Sequence, residues 1–289
     1  PLLQTKILNN TGTFYKESNN FNEALLFYQR GLNTLIRDFD KTPVITNPTE
    51  KQISTTANKL MLFSLLANKS EALLLLYQQN GNKSILEKSL ETSLAITAQE
   101  ASIIEDQHKR VNVSDLIKRL IEQVAFEARE NELVDKKSGV SARLTIAAYE
   151  NAVSAAERRA IMNDEKTTQV WLSDLTGIIP SITGKIELVY EGEQEGPYQV
   201  AYNLLERAIR TQFVQYFPNP DSLKKKKGKE EVDNPYKSIS RWFDAGNNLN
   251  VFLDTTDEDK VQLLYQVDGL HALVKKYFNA ASEKENALL

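Results

Sequence analysis

Arg143 stands in the stretch KSGVSARLTIAAYENAVSAAERRA (Lys137–Ala160), where small residues give way to an alanine-rich run of helical periodicity. A helix N-terminus already presents positive partial charge, so a cation in the first turn is opposed by roughly a few tenths of a kcal/mol. Packing is one reason for such a placement. A better one is an anion held between the guanidinium and the unpaired amides of the first turn, since both donate to an oxyanion. Arg143 is therefore the candidate anion-binding residue.

Other chemistry finds less support. His108 and His271 are isolated and form no His-Glu-x-x-His pattern. Glu191, Glu193 and Glu195 alternate between glycines and offer oxygen ligands, but without the spacing of a calcium loop they read as a solvated turn. The run Lys224–Lys227 with Lys229 is followed at once by Glu230 and Glu231 and has no interleaved aromatics, so it reads as a solvated loop. A phosphate-cradling loop needs Gly-x-x-x-x-Gly-Lys-Ser/Thr. Gly177 and Gly184-Lys185 are separated by six residues, with Ile186 where the magnesium-binding hydroxyl belongs, so no ATP-hydrolysing site is expected within these residues. No catalytic residue and no metal ligand set is assigned.

The 289 residues carry 35 basic and 39 acidic side chains, a net charge of -4, which argues against a surface built for nucleic acid. An apolar fraction of 41% is that of a globular protein. The absence of cysteine suits a reducing compartment and points to the cytoplasm. The longest apolar run, Ala72–Tyr77, is too short to span a bilayer, so no transmembrane segment is expected, and no signal peptide follows Pro1.

The elements that must position these residues are almost all helical. Residues 2–17 form one helix, and Asn20 with Glu23 caps a second reaching about Arg37. Leu8, Thr11, Gly12 and Tyr15 are expected to meet Phe21, Ala24, Leu25, Tyr28 and Leu32, with Gly12 and Ala24 permitting close approach. Pro43 and Pro48 mark a loop, and Thr49-x-x-Gln52 caps a helix running to Asn80-Gly81. Ser84-x-x-Glu87 caps the next, with Leu86, Leu90, Leu94 and Ile103 in one stripe.

A polar stretch, Glu105–Arg110, marks a boundary. Ser114 caps a helix bearing Leu116, Leu120, Ile121, Val124 and Phe126, and Ser141 caps the one that follows Arg143 along a face of Leu144, Ala148, Ala152, Ala155 and Ala156. Thr168, Val170 and Leu172 alternate as a short strand or extended segment, too short to define a sheet. Ser173-Asp174 caps a short helix toward Pro180, and a longer helix spans Tyr198–Tyr216. Residues 217–235 read as a basic loop. The C-terminal extension over 236–289 is helical again, with Thr256 capping a helix start at Asp257-Glu258-Asp259.

Two resemblances arise from these residues. The spacing of Leu8, Gly12, Tyr15, Ala24, Tyr28 and Gly31 resembles the tetratricopeptide repeat, and Lys59–Thr97 is similar in plan, with Ser70 and Ser89 at its small positions. Such arrays need about three units for a stable stack. About one and a half are visible here, so either repeats precede Pro1 or the hairpins lean on the remainder of the chain. An unrelated pair of amphipathic hairpins is the alternative. From about 111 to 278 the sequence resembles the C-terminal part of magnesium-chelatase and MoxR-like AAA+ ATPases, in Ile121–Arg129, Lys137–Arg159, Ser173–Pro180 and Gly184–Gly196.

That second resemblance implies a helical lid in which Ser141-Ala142-Arg143 matches an arginine sensing the terminal phosphate of ATP. The P-loop and magnesium ligands would belong to a core on another polypeptide. Arg158, Arg159 and Lys185 fall in matching stretches and receive no role from it. The expected fold is mainly α: tetratricopeptide-like hairpins over 1–105, an AAA+ lid-like helical domain over 106–216 with at most one or two short strands, the loop 217–235 and the extension. The expected function is protein-partner binding, with an AAA+ core or oligomer among the partners and ATP and magnesium implied as cofactors in trans. A stand-alone helical scaffold without a nucleotide role is the alternative. Neither nucleic acid nor membrane is expected as a partner.

Overall fold

The computed structural model describes residues 2–37, 39, 43–101, 103, 105–138, 140, 143–223 and 234–278, and the fold is mainly α. The chain divides into two compact units, Pro1–Ala101 and Ser102–Leu289.

In the first unit α1 (Leu2–Glu17) and α2 (Phe21–Leu35) pair across a short turn, and α4 (Lys59–Asn80) pairs with α5 (Lys83–Glu100). The short α3 (Glu50–Thr55) precedes α4, and α2 packs on α4 to join the hairpins. Small residues set the spacing. A Cβ on Gly12 would lie 2.5 Å from the Tyr28 ring, and one on Gly31 would lie 2.7 Å from Leu65, so each glycine admits a large side chain from the neighbouring helix. Where α4 crosses α5, the Ser70 and Ser89 hydroxyls each donate to the other residue's carbonyl, at 3.0 and 2.8 Å. The pairing satisfies both buried hydroxyls while the backbones stay close.

Local chemistry explains most of the helix ends, with several differences from the sequence reading. Thr49 and Gln52 form the expected capping box, but it starts only the six-residue α3. Asn58 then caps α4, its side chain accepting from the Met61 amide, and Gly81 ends it at φ 68°. Asn20 caps α2 by position alone, with no side-chain bond. Asn82 rather than Ser84 caps α5, because the helix already begins at Lys83 and the Asn82 side chain accepts from the Ser84 amide at 3.0 Å. The stripe expected to reach Ile103 stops with the helix at Glu100, and Ile103 packs instead against the core of the second unit.

The apolar character of α4 extends beyond the run Ala72–Tyr77. The apolar run Ala72–Tyr77 lies within a 22-residue helix whose most apolar window has a mean hydropathy of 1.4, long and apolar enough to cross a membrane. Half of that window is buried within the protein, where Leu62, Leu65, Leu66, Leu73 and Leu74 form the centre of the first unit. Lys69 is also fully buried there; its ammonium donates to the Gln29 side-chain oxygen at 2.8 Å and the Thr46 carbonyl at 2.5 Å.

The second unit is built on α7 (Asp115–Glu130), α8 (Arg143–Met162) and α11 (Pro197–Tyr216), joined by α6 (Glu105–Arg110), α9 (Ile179–Thr183) and α10 (Tyr190–Glu195). A two-residue parallel sheet pairs β1 (Val111–Asn112) with β2 (Thr168–Gln169). Both α8 and α11 touch α7. Leu144, Ala148, Ala152, Ala156 and Ala160 give α8 a fully buried, narrow face. The expected helix opening at Ser173 is instead a 3-10 helix, Leu172–Ile178, entered from Trp171, and Pro180 sits in the first turn of α9 rather than at its end. Proline is favoured there because its missing amide would have had no intrahelical partner. The C-terminal segment carries α12 (Lys237–Asp244), α13 (Asp257–Tyr265) and α14 (Leu270–Tyr277).

Candidate functional site

Arg143 is the first residue of α8 and is exposed, while the next two residues, Leu144 and Thr145, are buried. Its helix turn carries no acidic residue. The cap expected at Ser141, with Ala142, lies outside the described residues. The segment leading to Arg143 is anchored by an isolated bridge, Val134 to Leu188, and by the Ser138 hydroxyl, which donates to Glu187 and to Asp135. Gly192 presses against this segment, since a Cβ there would lie 2.6 Å from the Leu133 carbonyl. The stretch from Gly184 to Gly196 therefore braces the chain that enters α8.

The other basic residues of the matching stretches separate. Arg158 and Lys185 are exposed, whereas Arg159 is 3% exposed at the far end of α8, about 24 Å from Arg143 by helical rise. It is Arg159 that lies among carboxylates. Its Nε and Nη2 donate to Asp174 at 3.2 and 3.1 Å, Nη1 donates to Asp257 at 2.7 Å, and Nη2 also reaches Thr168 Oγ1 and the Gln169 carbonyl. Glu165 Oε2 is 3.6 Å from Nη1. Burial opposes the charge, but the hydrogen bonds and attraction of Asp174 and Asp257 outweigh it and raise the pKa.

Asp257 is held as tightly as the arginine. Besides Arg159, the Trp171 indole donates to it at 2.6 Å, the Gln169 amide at 3.2 Å, and the Thr168 hydroxyl at 3.0 Å. Three residues later Lys260 is fully buried, its Nζ 3.3 Å from Ser173 Oγ and 5.5 Å from the Trp171 ring centre. Burial, and then the nearby Arg159, lower its pKa. Thr256 does cap α13, accepting from the Asp259 amide, but Asp257 turns inward instead of merely complementing the helix dipole.

The remaining candidates do not converge. Glu191, Glu193 and Glu195 are exposed on the one-and-a-half turns of α10, and among the described residues no group of three His, Asp or Glu is placed to hold a metal. Gly177 lies in the 3-10 helix against Ala155, and Gly184 ends α9, so neither belongs to a phosphate loop. His108 is exposed, and the exposed His271 ring lies 5.1 Å from Tyr265. The lysine run at 224–229 lies outside the described residues. Comparisons with protein-family models, curated proteins and solved structures return no match.

Sequence reasoning missed the Arg159 cluster, although it left one trace. Arg159 continues the stripe Ala148, Ala152, Ala156 at helical spacing, so it had to face inward, and an inward arginine needs a carboxylate partner.

Proposed function

We propose that the chain is a helical, partner-binding protein bearing the lid portion of a chelatase-like AAA+ ATPase. In this reading Arg143 meets the terminal phosphate of ATP, and a P-loop core on another polypeptide holds the nucleotide and its magnesium. The supporting observation is the placement of Arg143: the helix behind it is fixed by Leu144 and Ala148 in the core, yet its own side chain is exposed at the helix head. A guanidinium and first-turn amides together favour a phosphate oxygen. The chain alone is not an ATPase in this reading.

The test is ATP turnover by the chain reconstituted with a chelatase-type P-loop subunit. Losing a charge-assisted phosphate contact in Arg143→Ala should slow turnover by about 10-fold or more. Unchanged turnover in a complex that still assembles refutes the role of Arg143. It would leave the second reading, a scaffold with no nucleotide role, which the exposed apolar residues Leu3, Ile7 and Phe14 of α1 favour, being spaced to share one helix face.

A further inference from the structure

The residues around Asp257 are arranged as a receptor for a carboxylate. Arg159, the Thr168 hydroxyl, the Gln169 amide and the Trp171 indole all donate to it, and all four belong to the body of the second unit. The carboxylate itself comes from α13, at whose start the Asp257 amide also donates to Glu165 and the Asp254 carbonyl accepts from Asn163. Only Asp257 and Lys260 are buried along that helix. The preceding stretch is exposed: α12 buries no residue, and Phe252 and Leu253 are 66% and 60% exposed. Beyond α13, Val267 is buried, and α14 packs its Leu273 and Val274 with Phe217 at the end of α11.

A helix whose two buried side chains are one acid and one base is joined there by directional contacts that an equivalent pair can replace. The geometry points to α13 as an exchangeable plug, and to the cradle beneath it as a docking site for a partner segment that presents Asp-x-x-Lys at a helix start. The lysine is part of the signature. Without α13 the cradle retains Arg159 against Asp174 and Glu165, so a multiply charged phosphate meets two carboxylates, whereas an Asp with a Lys three residues later arrives with no net charge. That lysine can take the place of Lys260 against Ser173 and the Trp171 face. This inference is independent of the phosphate reading of Arg143.

The test uses the full chain with Trp242→Phe, which leaves Trp171 as the only indole of the two in the sequence. Hydrogen exchange followed by mass spectrometry should show α13 exchanging at least ~10-fold faster than α7 and the middle of α8. Asp257→Asn in that background should speed α13 further and shift Trp171 emission, with α7 and α11 unchanged. A peptide of residues 254–266 should then restore the emission saturably at up to ~1 mM, the range that tethering supplies. A peptide with asparagine in place of Asp257 should not.

Equal protection of α13 and α8, or loss of protection in α7 and α11 on Asp257→Asn, overturns the plug, because α13 would then belong to the cooperative core. Failure of the native peptide to restore emission overturns exchange. Restoration by inorganic phosphate overturns the carboxylate assignment.

Discussion

Lys69 gives the first unit a stability that should rise with pH. Its pKa is lowered from 10.5 to about 7, first by burial and then by the nearby Lys88, and its two hydrogen-bond partners are both neutral carbonyl-type oxygens. Below the native pKa the lysine is protonated in both folded and unfolded states, and the full cost of burying the charge stands. Above it the folded protein has released a proton that the unfolded chain still holds, so the unfolded state binds more protons and stability climbs with pH. The climb ends near the unfolded value. Linkage gives about 2 kcal/mol between pH 7 and pH 9, out of about 5 kcal/mol over the whole interval.

The assay is urea unfolding by far-UV circular dichroism across that pH range, for the wild type and Lys69→Met. Both tryptophans, Trp171 and Trp242, lie in the second unit, so tryptophan emission marks its transition separately. The absolute stability of Lys69→Met at neutral pH is a poor readout. Removing the ammonium takes a donor from Gln29 and Thr46, which costs about 1–3 kcal/mol for each acceptor left unsatisfied and offsets the relief of burying no charge. The difference in pH slope between the two proteins is free of that offset. Parallel slopes would mean that the ammonium is not desolvated as its 0% exposure requires, and the reasoning fails.

Two further outcomes follow from the packing and the ion cluster. Arg159→Met should destabilise the second unit by about 3–5 kcal/mol in urea titrations read by tryptophan emission, because it leaves buried Asp174 and Asp257 without their cation; Arg159→Lys should recover part of that loss but cannot reproduce the branched contacts to both acids. Gly12→Ala gains about 1 kcal/mol of helix propensity, yet its Cβ would press within 2.5 Å of the Tyr28 ring. The net result should be a loss of about 1–3 kcal/mol in thermal melts, and an unchanged or raised melting temperature would show that Tyr28 moves aside freely.

Much of the local architecture was legible because its causes are local. The Thr49–Gln52 box, the Asn80-Gly81 stop, the Ser114 and Thr256 caps and the alanine face of α8 each depend on residues within one or two turns, and the structure has them. Small residues at Gly12, Ser70 and Ser89 pointed correctly to close helix crossings, since only the size of the side chain matters there. The β1–β2 pairing was half visible: alternation at Thr168 and Val170 suggested an extended segment, but its partner at Val111 is more than fifty residues away and has no pattern of its own.

The Arg159 cluster shows where local reading stops. An arginine on an alanine stripe announces that it needs an acid, but the sequence offers 39 of them, and spacing cannot choose between acids 15 and 98 residues away. The choice is made by topology: β2 and the 3-10 entry bring Trp171 and Asp174 beneath the end of α8, and the extension returns there with Asp257. Asp257 had a sufficient local reading as a first-turn acid beside a threonine cap, so nothing in its surroundings asked for a second role. Arg143 is the converse case, because its local conflict with the helix dipole is plain in the sequence, and its own first turn carries no acidic residue. A conflict visible at one position can therefore show that a partner is needed, but which partner answers it depends on contacts that only the folded chain, or the complex it enters, brings together.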